Sequence, residues 1–293
     1  MIGERGWRKA GWLLLFLLPG VGGLLIFTVG PILASFVLAF FSWDLLTPPQ
    51  FVGIKNFADI VHDKDFWAAL RHTLLFIIGY VPLVVVCGLG MALAMNAALR
   101  GIGILRTFFF FPVVSSWVAV ALLWSWLFNP KYGLVNYLLS LAGIPGPGWL
   151  FDPNWAMPAI ILTSVWKDMG FVLVLFLAGL QSIPVDYGEA AALDGAGPIA
   201  QFRHVTLPLL APTTFFVLII SLINSFQVFD QVWVMTEGGP AGATTVLVER
   251  IVRHAFSYGE MGYAAALSWV LFFLVFAATL VQFRVQRMGN FDV

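Results

Sequence analysis

Cysteine is nearly absent from this chain. Cys87 is the only one and lies in an apolar run, so no disulfide framework or cysteine-based metal site can form within the chain. Charge is scarce too: 10% of the 293 residues are charged, against roughly 25% in soluble domains. The 15 basic and 15 acidic residues cancel, and without a basic excess nucleic acid is not indicated as a partner. Only five lysines occur (Lys9, Lys55, Lys64, Lys131 and Lys167), and none follows Gly or precedes Ser or Thr. A Gly-x-x-x-x-Gly-Lys-Ser/Thr phosphate loop is therefore missing. So is a Gly-x-Ser-x-Gly nucleophile elbow, and His62, His72, His204 and His254 are scattered rather than clustered at metal spacing. These absences argue against an enzyme, and against a chain that binds ATP or any other cofactor by itself.

What is abundant is apolar bulk. Hydrophobic residues make up 60% of the chain, including 28 Phe and 12 Trp of the kind that pack cores and anchor helices at bilayer interfaces. A bilayer core takes about 20 apolar residues per helix. Six segments meet that length: 12–41, 73–97, 107–128, 156–180, 212–233 and 263–283. The pattern predicts an all-α integral membrane protein with six transmembrane helices. The first run exceeds the about 7–15 residues of a signal-peptide core, and no small-residue cleavage site closes it, so it reads as a retained helix. Pro19 and Pro31 predict a kink there, or an extension beyond the bilayer.

An even number of spans places both termini on one side. That side carries Arg5, Arg8, Lys9, Arg100, Arg106, Arg203, Arg284 and Arg287, while the opposite loops carry Lys55, Lys64, Arg71, Lys131, Arg250 and Arg253. The second set lies mostly in longer loops, which count for less, so the bias predicts cytoplasmic termini. Residues 1–70 then form a first helix with its extracytoplasmic connector, and 71–287 a core of five helices.

Between the fourth and fifth apolar segments lies a polar, helix-forming insert at about 182–208. Ser182 suits a cap and Pro184 a first helical turn. Val185 to Asp194 reads as a helix that Gly195 can end in a left-handed conformation, and Pro198 permits a second short start. On local sequence alone, the insert is either a solvated connector or a helix whose Ala190-Ala191-Ala192 surface lets a partner approach closely.

The pattern Glu189-Ala190-Ala191, three residues, Gly195, nine residues, Val205, one residue, Leu207-Pro208 resembles the EAA loop of binding-protein-dependent ABC importer permeases. Val205 stands where that family usually has isoleucine. Asp194-Gly195-Ala196 and Thr206-Leu207-Pro208-Leu209-Leu210 are similar to the carbohydrate branch, which includes the maltose, lactose and glycerol-3-phosphate permeases. The resemblance extends to Phe51-Val52-Gly53-Ile54-Lys55-Asn56-Phe57, to Leu105 through Pro112, to Leu127-Phe128-Asn129-Pro130, to Leu177 through Pro184 and to Gly238-Gly239-Pro240.

The resemblance implies a type I ABC importer permease fold and a multi-pass place in a prokaryotic plasma (inner) membrane. It implies that the insert docks in a cleft of a cytoplasmic ATPase and transmits its closure. Carried onto this chain, Glu189, Ala190, Ala191, Asp194 and Gly195 make or shape that contact, and Leu207 and Pro208 brace it against the fifth span. The implied partners are a second permease subunit, an ATPase dimer holding ATP and Mg, a periplasmic or lipid-anchored solute-binding protein, and a sugar substrate.

Polar groups inside spans by default face the bundle interior or a watery path. Ser221, Asn224, Gln227 and Gln231 recur at helical spacing, with Asp230 beside them, and predict one polar face of the fifth span. Amides suit the hydroxyls of a sugar; the alternative is hydrogen bonding between helices. In the fourth span Ser164, Lys167 and Phe171 share a face, with Asp168 close by and Phe171 or Trp166 able to stack on a sugar ring. There the alternative has Lys167 and Asp168 snorkelling to water. Sequence neighbours on a helix do not meet side to side, so these two are expected to have different partners. Trp117, Trp124, Trp126 and Phe128 read as lipid or core contacts. An ion-coupled secondary transporter remains the alternative function, but it would need repeated halves and buried titratable relays. No repeat is visible, and only Lys167, Asp168 and Asp230 lie near membrane depth.

Overall fold

The computed structural model describes residues 7–96 and 101–288; Arg5, Arg100 and the side chains of Arg8, Lys9 and Arg287 lie outside that description. Four helical stretches are long and apolar enough to cross a membrane: Gly11–Leu38, Lys64–Met95, Ala156–Gln181 and Met261–Gln286. Two further runs reach that length only as bent pairs, Ile102–Val114 with Trp117–Leu127 at 100° and Pro198–Leu209 with Ala211–Phe226 at 66°. The described residues thus hold four candidate spans, or six if each bent pair counts as one.

The described residues fall into two compact units, 7–63 with 251–270 and 64–96 and 101–250 with 271–288. In the first unit, α1 (Trp7–Leu24) passes through a π-helical turn at Leu25–Val29 into α2 (Gly30–Leu38). Pro31 has no N–H to bond the turn below it, and the wider π turn takes up the irregularity without breaking the span. A short antiparallel hairpin follows, β1 (Phe41–Ser42) with β2 (Gln50–Phe51), pairing Phe41 with Phe51. Asp44 shapes its loop by accepting the N–H groups of Leu46 and Thr47 at 3.0 and 2.7 Å. The Thr47 backbone bond, with that residue's hydroxyl and the Leu46 amide, holds the Asp44 carboxyl below the usual carboxylate range. In α3 (Lys55–His62) the buried Asn56 donates to the carbonyls of Ala39 and Phe41 at 2.8 and 2.9 Å. Ser35 accepts the Trp269 indole N–H at 3.3 Å, and His254 meets Glu260 at 2.7 Å.

In the second unit α4 (Lys64–Met95) and α5 (Ile102–Val114) precede α6 (Trp117–Leu127) and α7 (Leu134–Leu141). The most buried helix, α8 (Ala156–Gln181), packs along α4. The connector to the next span contains α9 (Val185–Leu193), α10 (Pro198–Gln201), a π turn at Phe202–Thr206 and α11 (Leu207–Leu209). Then come α12 (Ala211–Phe226), α13 (Asp230–Met235) and α14 (Leu247–Val252), and α15 (Met261–Met288) supplies residues to both units. Phe76, Val84, Ile160, Phe176 and Leu210 lie in the apolar core of this unit. Thr73 pins the start of α4 to α14: its hydroxyl donates to Ala69 and accepts the Leu247 N–H at 3.1 Å.

The third apolar segment is not one straight helix but a bent pair. Ser115 and Ser116 adopt extended backbone, with ψ of 145° and 137°, and the helix direction changes by 100° between α5 and α6. Serine side chains can satisfy backbone groups in such an interruption, which apolar residues cannot.

Where α5 crosses α8 the contact is made through Gly170, at which a Cβ would collide with the backbone carbonyl of Phe109. Small residues permit this kind of close helix approach in membranes. Gly170→Ala is expected to cost about 1–3 kcal/mol of stability through overpacking. Thermal unfolding in detergent should show a lowered midpoint; an unchanged midpoint would mean that α5 does not pack this closely.

Candidate functional site

The connector after α8 first ends that helix and then builds another. The Ser182 hydroxyl donates to the Gly179 carbonyl at 2.7 Å, so Ser182 closes α8 and does not cap α9. Pro184, extended at φ −58° and ψ 136°, stands just before α9 instead of in its first turn. Asp186 in the first turn suits the positive end of the helix dipole. At the other end Gly195 adopts φ +82°, its N–H bonds the Ala192 carbonyl at 3.0 Å, and the Ala196 N–H bonds that of Ala191 at 2.9 Å. Those two bonds make a Schellman closure, which favours glycine at its left-handed position. Gln201 then ties α10 back by donating to Ala196 O at 2.9 Å.

No residue of α9 is buried. Glu189, Ala190, Asp194 and Gly195 are exposed and Ala191 is partly so. Leu193 is 90% exposed and Ile199, in α10, 83%. Large apolar side chains left open in this way mark an interaction surface, with another protein or with the membrane. Leu207 and Pro208 edge an apolar groove of about 490 Å³ shared with Phe215 and Leu218 of α12 and Val281 of α15.

A polar cavity of about 260 Å³ lies among α4, α6, α8, α12 and α13. Phe76, Tyr80 and Trp117 give it aromatic walls. Its polar lining comes from Asp168, Asn224, Ser225, Gln227, Asp230 and Gln231. Tyr80 donates its hydroxyl to Asp168 Oδ2 at 2.8 Å, and Gln231 Nε2 donates to Ser164 Oγ at 3.2 Å. Lys167 is 4% exposed; its Nζ donates to the Val113 carbonyl at 3.2 Å and sits 4.7 Å over the Trp117 ring. Lys167 and Asp168 therefore have different partners, and Lys167 does not snorkel to a surface.

The expected single polar face of the fifth span is not observed. Helix α12 stops at Phe226, Gln227 and Phe229 leave helical geometry, and α13 starts afresh at Asp230. Ser221 is buried in α12, away from the lining, and Phe171 does not line the cavity either. The helix break, which a periodicity argument cannot see, still brings Asp168, Asn224, Gln227 and Gln231 together, with Ser164 behind Gln231. Non-helical backbone at membrane depth is tolerated where it lines an aqueous cavity or is buried in protein.

Sequence reasoning missed Tyr80, and it read Trp117 as a lipid or core contact. The signal for Trp117 was the Ser115-Ser116 pair just before it, two small hydroxyls in an otherwise apolar run. Phe128 is a core residue, 2% exposed, and Trp126 is exposed.

A family profile described as the binding-protein-dependent transport system inner membrane component matches residues 84–289. The chain belongs to that family. This permease is 38% identical over 276 residues to a probable ABC transporter permease protein (YesP) of Bacillus subtilis strain 168, covering 92% of this chain and 89% of that protein. It is 35% identical to the trehalose/maltose transport system permease protein MalF of Thermococcus litoralis, across 96% of this chain and 95% of the other. A crystal structure of a bacterial alginate ABC transporter in complex with an alginate pentasaccharide-bound periplasmic protein matches with TM-score 0.86 and 25% identity, covering 98% of this chain and 99% of that one. The permease is thus a multi-pass transport subunit of a binding-protein-dependent importer, not an enzyme.

Tyr80 supplies the hydrogen bond that the Asp168 carboxyl receives across the cavity wall. Tyr80→Phe is expected to cost about 1–3 kcal/mol by leaving Asp168 without it. The detergent unfolding midpoint should fall relative to wild type, and an unchanged midpoint would mean the bond is not formed in the folded permease.

Proposed function

We propose that this permease is one of two membrane subunits that together enclose the import path for a sugar or sugar derivative. Each bent helix pair then counts as one span, giving six. Both termini and the 182–208 insert face the cytoplasm of a prokaryotic cell, and the 42–62 and 129–155 loops face out. The observation that carries this reading is the polar cavity at the α12–α13 break. Three side-chain amides and two carboxylates face it beside the Tyr80 and Trp117 rings. Amides donate and accept at once, carboxylates accept, and aromatic faces pack against the C–H faces of a pyranose. Relatives named for trehalose/maltose and for alginate support a saccharide cargo. One of those is neutral and the other acidic.

Energy enters through the insert. Glu189, Ala190, Ala191, Asp194 and Gly195 shape the contact with a cytoplasmic ATPase, Leu193 and Ile199 give it apolar grip, and Leu207 and Pro208 brace it. ATP and Mg belong to the ATPase dimer. A dimer has two clefts and this chain one insert, so a second permease provides the other. A solute-binding protein, free or lipid-anchored, delivers the sugar from outside.

In reconstituted complexes of normal assembly, Gly195→Pro or Leu193→Asp should lower the ATPase activity stimulated by loaded binding protein at least about tenfold, the equivalent of about 1.4 kcal/mol in activation free energy. Wild-type stimulation in both would sink the docking role. For the path, Gln227→Ala or Asn224→Ala should raise the apparent KM for uptake about fivefold, the worth of one hydrogen bond of about 1 kcal/mol. If neither changes apparent affinity or substrate preference, the polar lining is structural.

A further inference from the structure

We propose that this subunit selects an uncharged, polyhydroxylated cargo and disfavours sugars bearing carboxylate, phosphate or sulfonate groups. The inference rests on the reading of the α12–α13 cavity as the import path and adds the charge of what passes.

Asp168 and Asp230 both line the cavity, and among its described lining residues there is no Lys, Arg or His. The nearest cation is Lys167. Its ammonium is held by the Val113 carbonyl and the Trp117 ring face, and the side chain is 4% exposed. The lumen therefore presents two carboxyl groups and, among its described lining residues, no cationic side chain. A binding site for an anionic sugar would call for the reverse, since carboxylate and phosphate are recognised by Arg forks or Lys ammonium groups that face the ligand.

The rest of the lining points the same way. Asp168 already accepts one hydroxyl, from Tyr80 at 2.8 Å, which shows the geometry it offers to another O–H donor. Gln231 is committed through its amide N–H to Ser164, leaving its carbonyl oxygen as an acceptor. Asp230 and that carbonyl are acceptors seeking donors, and sugar hydroxyls are donors. An anionic substituent has none to give and meets carboxyl groups of like charge.

The test reads the cavity charge without requiring the cargo to be known. In the complete importer, with Cys87→Ser and thiol-free partner subunits, Asn224→Cys presents one thiol to the cavity. Its reaction rates with a cationic and an anionic methanethiosulfonate reagent are each divided by the rate with a free thiol. The cationic reagent should be favoured at least tenfold, and Asp230→Asn should bring the ratio at least threefold closer to one. A ratio at or below one overturns the proposal, as does an acidic sugar imported as well as its neutral counterpart. If neither reagent reacts in any trapped conformation, the cavity is closed to solute, and the import-path reading fails instead.

Discussion

A peptide group inside a bilayer has no water to bond, so a chain that crosses must satisfy its own backbone or place the exceptions where something else can. The long helices α4, α8 and α15 meet this requirement directly. The exceptions are the extended serines between α5 and α6 and the interruption at Gln227–Phe229. The second of these borders the polar cavity, and Trp117, just after the first, forms part of its wall. Both interruptions thus stand beside the polar cavity, one of the settings in which a broken backbone is tolerated at membrane depth.

The insert answers a different constraint. Outside the hydrocarbon, α9 has water for its polar groups, but nine residues are too few to form a stable helix by propensity alone. Its ends make up part of the deficit, with Asp186 at the positive pole and the Schellman closure at Gly195. What remains exposed, Leu193 and Ile199 above all, suits cover by another protein. A moving partner can push on such a helix only if the push reaches a span, and α11 leads directly into α12. The cavity lies where α12 ends, so one helix joins the surface offered to the partner to the lining.

Much of this was legible in the linear chain. Apolar length identified the candidate spans, and Gly195 was readable as a helix end because few other residues adopt a left-handed backbone without strain. The separate partners of Lys167 and Asp168 followed from helical geometry. The helix breaks were not legible, because hydropathy sums over a window and Gln227 or Ser116 changes that sum very little. Periodicity assumes an unbroken helix, so Ser221 and Gln231 were assigned one face although one is buried in α12 and the other belongs to α13. Tyr80 escaped notice because a lone tyrosine in an apolar run has no meaning until its partner, 88 positions away, is known.

By itself the sequence determined that the chain enters a membrane, lacks a phosphate loop of its own and carries a polar helix-forming insert between two apolar segments. Composition and local motif suffice for these, since each depends on residues adjacent in the chain. Tertiary structure alone decided which polar side chains meet across the cavity and that Lys167 is turned to Val113 and Trp117 instead of the lumen. It also decided that Asp168 and Asp230 share one space. These depend on where α4, α8 and the broken α12–α13 pair come together, and no pattern along a single helix encodes that convergence.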